Sequence, residues 1–369
     1  MTAPRGWLPH ESSGPWAAAI GVAALAAALS QTPPAVADGM YAGRLYPALQ
    51  AALTGTSNIL PLAVFDVACG ALAGVLVVIW WRAVRAWRTT RSWRPFATAT
   101  ARTLLAAAGA VLWFQLVWGL NYARPPLDVR LALPAGGPTA GEVAALLIRA
   151  VAGANADHAA AHAAGFPGPR DVPEALAAAL HEVERADGRS RPSTPGRPKL
   201  TLLAPYFRIA GVDGLTAPVA LETLLNPDLT GPERPFTLAH EWAHLAGYAP
   251  EADANFVAVR AVMRAGVAAR YSGWLFLLGE TARQAPGEQR RAALTALAAG
   301  PRDDLAAIEQ RARAQIDVVQ RLGWRVYDGY LRSQGVTEGV RSYSRVVELL
   351  VRFERAGQPF PGSSLGPSR

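Results

Sequence analysis

The stretch "FTLAHEWAHLAGYAPEADANF", residues 236–256, holds the residue types from which a hydrolytic metal site can be built. His240 and His244 are four apart, so on a helix both imidazoles share one face and can reach one ion. Glu241 is displaced around the helix from them, near enough to meet a water on that ion without ligating it. Zinc hydrolysis needs this division of labour: protein ligands, an open position and a carboxylate base. Pro235 and Thr237 mark the start of the helix, and Gly247 is placed to end it.

The third ligand is less direct. A metzincin-type site needs histidine at position 250, where the chain has Pro250. Pro250 suits the opening of a second helix, on which Glu251 and Asn255 share a face. Glu251 is therefore the expected third ligand, with Asn255 orienting a histidine. Asp253 points roughly to the other side and is the reserve ligand. Tyr248 and Tyr271 are candidate oxyanion donors, by proximity in sequence alone.

Two plain alternatives are weighed against this. Acids are favoured in a first helical turn by the helix dipole alone, and an HExxH string occurs in unrelated helices. Yet the chain has only six histidines, and two of them flank a glutamate at ligand spacing; a site for one Zn²⁺ per chain is the stronger reading. His158 and His162, in "DHAAAH", also lie four apart, but with no carboxylate between them they read as a solvated helix face. His181 reads as surface, and no G-x-S-x-G nucleophile motif is present.

What must position these residues follows from the apolar pattern. The chain has 369 residues, of which 51% are hydrophobic and 17% charged, and the apolar excess lies near the N-terminus. Three segments there read as transmembrane helices, at residues 16–30, 60–81 and 103–120. Trp80, Trp81, Trp118 and Tyr122 sit where interfacial aromatics belong. The run "RAVRAWRTTRSWR" between the second and third segments carries five arginines and no acid, which places it in the cytoplasm. The stretch from Gln31 to Asn58 is then an outer loop, and everything after Tyr122 is outside. "PPAVADG" also fits a signal-peptidase site, so the first segment is either a retained helix or a cleaved signal peptide. Asp66, inside the second segment, is read as reaching water near the outer interface. The net charge of +8 is almost all arginine, Lys199 being the sole lysine, and no nucleic-acid module accompanies it; a nucleic-acid partner is not expected. Cys69 is the only cysteine, so no intramolecular disulfide can form.

Residues 1–122 thus read as a membrane section, 123–356 as an extracytoplasmic domain, and 357–369 as a disordered tail. From Thr139 the pattern is mainly helical, with capping boxes at Thr139/Glu142 and Asp171/Glu174. "LTLLAPYF" and "GLTAPVALETLLN" carry the strand signals, and Pro218 confines the second to an edge. Helices are expected over Asn255–Ala265, Asp303–Leu322 and Val336–Arg355. Tyr271–Gly279 is too short to span and reads as a core helix. The fold class is mainly α: transmembrane helices followed by a zincin-like, mostly helical α+β domain with a small sheet.

Four stretches, "WGLNYARPPL", "FTLAHEWAHLAGYAPEADANF", "RYSGWL" and "VYDGYLRSQGVTEGVRSYSRVVELL", together resemble the bacterial membrane-protein family catalogued as domain of unknown function 3810. The resemblance implies N-terminal transmembrane helices and a metallopeptidase domain, without a substrate. "EADAN" is also similar to the E-x-x-A-D element that supplies the third zinc ligand in CAAX prenyl proteases. That similarity again selects Glu251, with Asn255 in place of the aspartate; Asp253 stands where the resembling family has glutamate, which keeps both acids open.

The expected protein is a gluzincin-like zinc metallopeptidase of the bacterial inner membrane, multi-pass, cutting peptide or protein substrates outside the cytoplasm, with Glu241 as base and the lipid bilayer as its other partner. The alternative is a non-catalytic membrane protein whose metal is structural or binds a partner. An intramembrane protease fits poorly, because Glu233, Arg234 and the nearby prolines are too polar for lipid.

Overall fold

The computed structural model describes residues 14–313 and 345–360. Helix α1 (Gly14–Ser30) is followed, across an 88° bend, by helix α2 (Pro34–Ile59). Pro33 and Pro34 enforce the break, since neither can donate to a continuing helix. The stretch expected as an outer loop is thus helical, with a wide π-helical segment over Ala37–Leu45. Helix α3 (Val64–Thr90) and helix α4 (Arg94–Val117) form an antiparallel hairpin, and α1 packs along α4.

Among the described residues two helices, α3 and α4, are long and apolar enough to cross a bilayer, or three if the bent pair α1–α2 counts as one. Both differ in extent from expectation. Pro61 delays α3 to Val64, and the arginines after Trp81, good helix formers, carry it on to Thr90. Only Arg91 to Trp93 remain as the connecting turn, Arg91 taking a left-handed φ of 52°. Pro95 sits in the first turn of α4, where its missing N–H costs nothing.

The remaining described residues are mainly helical with one two-stranded sheet. Helix α5 (Ala140–Ala164) begins at the expected Thr139–Glu142 capping box, followed by α6 (Glu174–Ala186) and the short α7 (Ala204–Ala210). "LTLLAPYF" is therefore a turn and a helix rather than a strand; Pro205 opens α7, and Lys199 alone bridges to Leu224. "GLTAPVALETLLN" is an antiparallel hairpin rather than one strand, β1 (Gly214–Ala217) against β2 (Glu222–Leu225), pairing Gly214 with Leu225 and Ala217 with Glu222. Pro218 falls in the turn, outside the ladder. With Lys199 on the far side of β2, β1 is the outermost strand among the described residues.

Helices α8 (Arg234–Leu245) and α9 (Glu251–Val262) pack together at the centre, and every residue of α9 is buried. Around them lie α10 (Val267–Gln284), α11 (Gly287–Thr295), α12 (Ala299–Ala312) and α13 (Arg345–Arg355). Helix α10 includes the apolar Tyr271–Gly279 stretch and runs along α5 as a core helix; Gly153 admits the Trp274 ring and Gly273 the Val262 side chain. The expected helix portions over 314–344 and the tail beyond Phe360 lie outside the described residues. Phe360, at the start of the expected disordered tail, is buried against the Trp274 ring.

One hydrophobic core joins the two ends of the chain. Tyr41, Tyr46, Val117, Trp118 and Leu120 belong to the same cluster as Trp242, Leu245 and the α9 side chains. Polar contacts add to it along one face of α2. Gln50 exchanges two hydrogen bonds with the Thr194 backbone, Thr54 donates to the Leu221 carbonyl, and Ser57 donates to Glu222. Asp66 does not simply reach water: it accepts from the Thr201 hydroxyl at 2.6 Å and the Leu202 amide at 2.8 Å. His181 is half-buried, 2.8 Å from the Ser193 carbonyl, rather than plain surface.

Candidate metal centre

Helix α8 puts His240, Glu241 and His244 at the wall of a cavity of about 970 Å³, and α9 brings Glu251 across to meet them. The Glu251 Oε2 lies 3.2 Å from His240 Nε2 and 3.6 Å from His244 Nε2. The three ligand atoms lie within 4.8 Å of one another. Tetrahedral ligands at zinc bond lengths are roughly 3.3 Å apart, so this set suits one such ion. The two imidazoles stand nearly perpendicular, at 84°, with both Nε2 atoms toward the same carboxylate.

The His244 Nδ1 is 2.9 Å from the Tyr248 carbonyl, which can only accept, so Nδ1 carries the hydrogen and Nε2 keeps its lone pair for a cation. With protons as the only cations, burial lowers the affinity of His244 for a proton, but the Glu251 carboxylate outweighs it and pushes the pKa up to about 9. Burial likewise opposes ionisation of Glu251, yet His244 and His240 hold it well below the usual carboxylate range. The buried Glu251 carboxylate that draws protons to these imidazoles would draw a metal ion in their place, with release of the protons.

Glu241 is buried beside the ligands. Burial raises its pKa, partly offset by the two histidines and by the Thr216 hydrogen bond. The Thr216 hydroxyl lies 2.8 Å from Glu241 Oε2 and 2.9 Å from the Glu241 carbonyl. Gly214 lies against the other oxygen: a Cβ there would come within 2.5 Å of Oε1. Strand β1 thus sets the carboxylate from both sides.

The end of α8 is held from α2 and from the residue that follows α4. Trp118 Nε1 donates to the His244 carbonyl at 3.1 Å, and the Tyr46 hydroxyl donates to the Leu245 carbonyl at 2.8 Å. Gly247 closes the helix as expected, at φ 83°, a left-handed conformation that suits glycine; a Cβ would also strike Asn121 and Tyr46.

The other expected site residues fall differently. Asp253 is not in the ligand group; it is buried 3.9 Å from Arg130, and burial pushes its pKa up to about 6 despite that neighbour. Asn255 lines the cavity but makes no hydrogen bond to either histidine among the described residues; the Tyr248 carbonyl orients His244 instead. Neither tyrosine hydroxyl faces the cavity. The Tyr248 hydroxyl donates to Asp187, which also binds Arg260, and that of Tyr271 donates to Asp304. The reason is rotational: Tyr248 follows the Gly247 reversal, and Tyr271 sits one position before Ser272, which does line the cavity. The expected solvated His158/His162 face holds in part: His162 is exposed and His158 half-buried, but Asp304 of α12 lies against both rings and makes a second group of possible metal ligands.

The family model described as "Protein of unknown function (DUF3810)" matches residues 41–351. The chain belongs to that family. No curated protein and no solved structure matches it. The matched span starts within α2 and ends within α13, so it takes in the apolar hairpin, the sheet and the ligand group together.

Proposed function

We propose that this family member is a membrane-anchored, zinc-dependent peptidase with a zincin-like domain, its zinc held by His240, His244 and Glu251. The observation that carries the reading is the placement of Glu241: a buried carboxylate, outside the ligand group, fixed by Thr216 at the wall of a large cavity. A purely structural metal site has no use for such a base.

Zinc in this position supplies Lewis acidity, acidifying a water and polarising a scissile carbonyl. Glu241 takes the proton of the attacking water on its carboxylate, which Thr216 holds through Oε2. Burial favours this step, because it raises the proton affinity of the carboxyl. Strand β1, the outermost strand among the described residues, lines the cavity, and its unpaired edge is available to the backbone of an extended peptide. Phe114 and Trp118, from the end of α4, line the same cavity, so the substrate approaches beside the apolar helices and presents apolar side chains.

Orientation follows from charge. Helix α3 has 27 residues, a length of roughly 40 Å at ~1.5 Å per residue. Arg82, Arg85, Arg88, Arg91 and Arg94, on and beside the Arg91–Trp93 turn, mark one end of the hairpin, and Val64, tied to Glu222, lies at the other. The positive-inside rule places the turn in the cytoplasm and the catalytic cavity outside a bacterial inner membrane.

The test uses the full chain in detergent. Wild type should bind zinc at this site, and His244→Ala and Glu251→Ala should lose it. Glu241→Gln should keep the metal while peptide turnover falls by about 10²–10⁴-fold. A wild-type protein that holds zinc but shows no Glu241-dependent cleavage of an apolar peptide library would leave only the non-catalytic alternative.

A further inference from the structure

We propose that His158, His162 and Asp304 form a second, more exposed divalent-metal site that takes a borderline ion such as Zn²⁺ or Ni²⁺ and ties α5 to α12. The proposal is independent of whether the first site is catalytic.

The geometry resembles that of the first group. Asp304 Oδ2 lies 2.8 Å from His162 Nε2 and 3.6 Å from His158 Nε2. All three ligand atoms are within 4.8 Å of one another, and the ring centroids are 4.5 Å apart. The two distances bracket the roughly 3.3 Å edge of a tetrahedral zinc site. Two imidazoles and one carboxylate leave a position open for water, and they form a donor set that suits zinc or nickel better than calcium or magnesium.

The surroundings are shaped for these side chains. A Cβ at Gly300 would meet the His158 ring at 2.3 Å, so glycine in the first turn of α12 is what lets that imidazole lie against the backbone. The Tyr271 hydroxyl donates to Asp304 Oδ2 at 2.5 Å, the kind of outer hydrogen bond that fixes a ligating carboxylate. One turn back on α5, Asn155 accepts from the Ala298 amide and donates to the Ala296 carbonyl, setting the approach of α12. Asn155, His158 and His162 share one helical face, so a single face of α5 both positions α12 and supplies two ligands.

The position has a consequence for the first cavity. Leu305 and Ile308, on the same helix as Asp304, line its wall. An ion on the histidines would therefore pin that wall, while the half-exposed ligands would leave it exchangeable.

Metal content and zinc titration of the full chain in detergent decide the matter. Wild type is expected to bind two equivalents, the second removed by brief chelation. His162→Ala and Asp304→Asn should each lose that equivalent and keep the first, whose retention also shows the variants are folded; Tyr271→Phe should weaken it about 10-fold or more. His244→Ala should lose the tight equivalent and keep the exchangeable one. If wild type binds a single equivalent that His244→Ala abolishes, or if His162→Ala and Asp304→Asn both leave two, the second site does not exist. A wild type whose only equivalent is lost in His162→Ala and kept in His244→Ala would sustain this site and overturn the zinc reading of the first.

Discussion

Thr216 and Gly214 act on one carboxylate from alternate positions of β1, and they do so by different physics. Thr216 supplies a hydrogen bond to Glu241, whereas Gly214 supplies the absence of a side chain. Gly214→Ala should therefore displace the Glu241 carboxylate without touching a ligand. We expect zinc binding to be retained and turnover to fall about 100-fold, the usual consequence of misplacing a reacting group by ~1 Å. Thr216→Ser should keep most of the activity and Thr216→Val should not, because only the serine keeps the donor. Steady-state kinetics with metal content measured on the same samples check both. A second residue-scale expectation separates the two acids: Glu251→Gln should weaken the tight zinc strongly, and Asp253→Asn should leave it in place, since Asp253 faces Arg130. His240, Glu241 and His244 were legible in the sequence because helical period alone groups them on one helix; Glu251, on the next helix, was singled out by the face it shares with Asn255 and by the E-x-x-A-D resemblance, with Asp253 still open beside it. Asp304 was not, because it meets His162 across 142 positions of chain and nothing local to either residue signals the meeting.

Helix α3 begins on Glu222. The carboxylate of this β2 residue accepts from the Val64 and Phe65 amides, the free donors of the first turn, and from the Ser57 hydroxyl. The sole lysine of the chain, Lys199, completes the set at 2.6 Å. Burial opposes ionisation of Glu222, but Lys199, Ser57 and the two amides outweigh it and hold the pKa below the usual 4.5. An acid whose folded pKa is depressed contributes stability that is present above 4.5 and is lost as pH falls through the lower folded value. The thermal midpoint of chelated protein should thus drop on acidification below 4.5, and Glu222→Gln should flatten that part of the profile. Lys199→Met leaves a buried carboxylate uncompensated and should cost about 3–5 kcal/mol. If Lys199→Met unfolds at the wild-type midpoint, the buried pair does not hold the hairpin to the sheet. Apolar period located α3 and α4, but α2 presents Gln50, Thr54 and Ser57 to the fold, a buried polar face that a search for apolar stripes passes over. The strand signals succeeded only in part: the run around Pro218 does form β1 and β2, with Pro218 in the turn between them, whereas the run around Pro205 is a turn and a helix that this proline opens.

At the scale of the whole molecule, the apolar helices and the helices that carry His240, His244 and Glu251 share one core, and this bears on what can be cut away. A fragment beginning at Ala123 carries His240, Glu241, His244 and Glu251 but lacks Tyr46 and Trp118, whose polar atoms satisfy the carbonyls of Leu245 and His244 at the end of α8. It also lacks Ser57 and Gln50, leaving Glu222 and the Thr194 backbone without their partners from α2. Each buried group left unpaired costs about 1–3 kcal/mol, and several together are a large fraction of the stability of a domain. The fragment is therefore expected to unfold well below the full chain and to hold zinc less tightly, because its ligands are positioned through α8. Tyr46→Phe in the full chain isolates one part of this: the ring stays, the Leu245 carbonyl loses its donor, and the midpoint should fall by the equivalent of about 1–3 kcal/mol. Side-by-side thermal unfolding and zinc titration of the three proteins provide the check. Equal midpoints and equal zinc affinity in the fragment would mean that α2 and the hairpin merely anchor the domain; a fragment that loses both would mean that the membrane-proximal helices are a structural part of the metal centre.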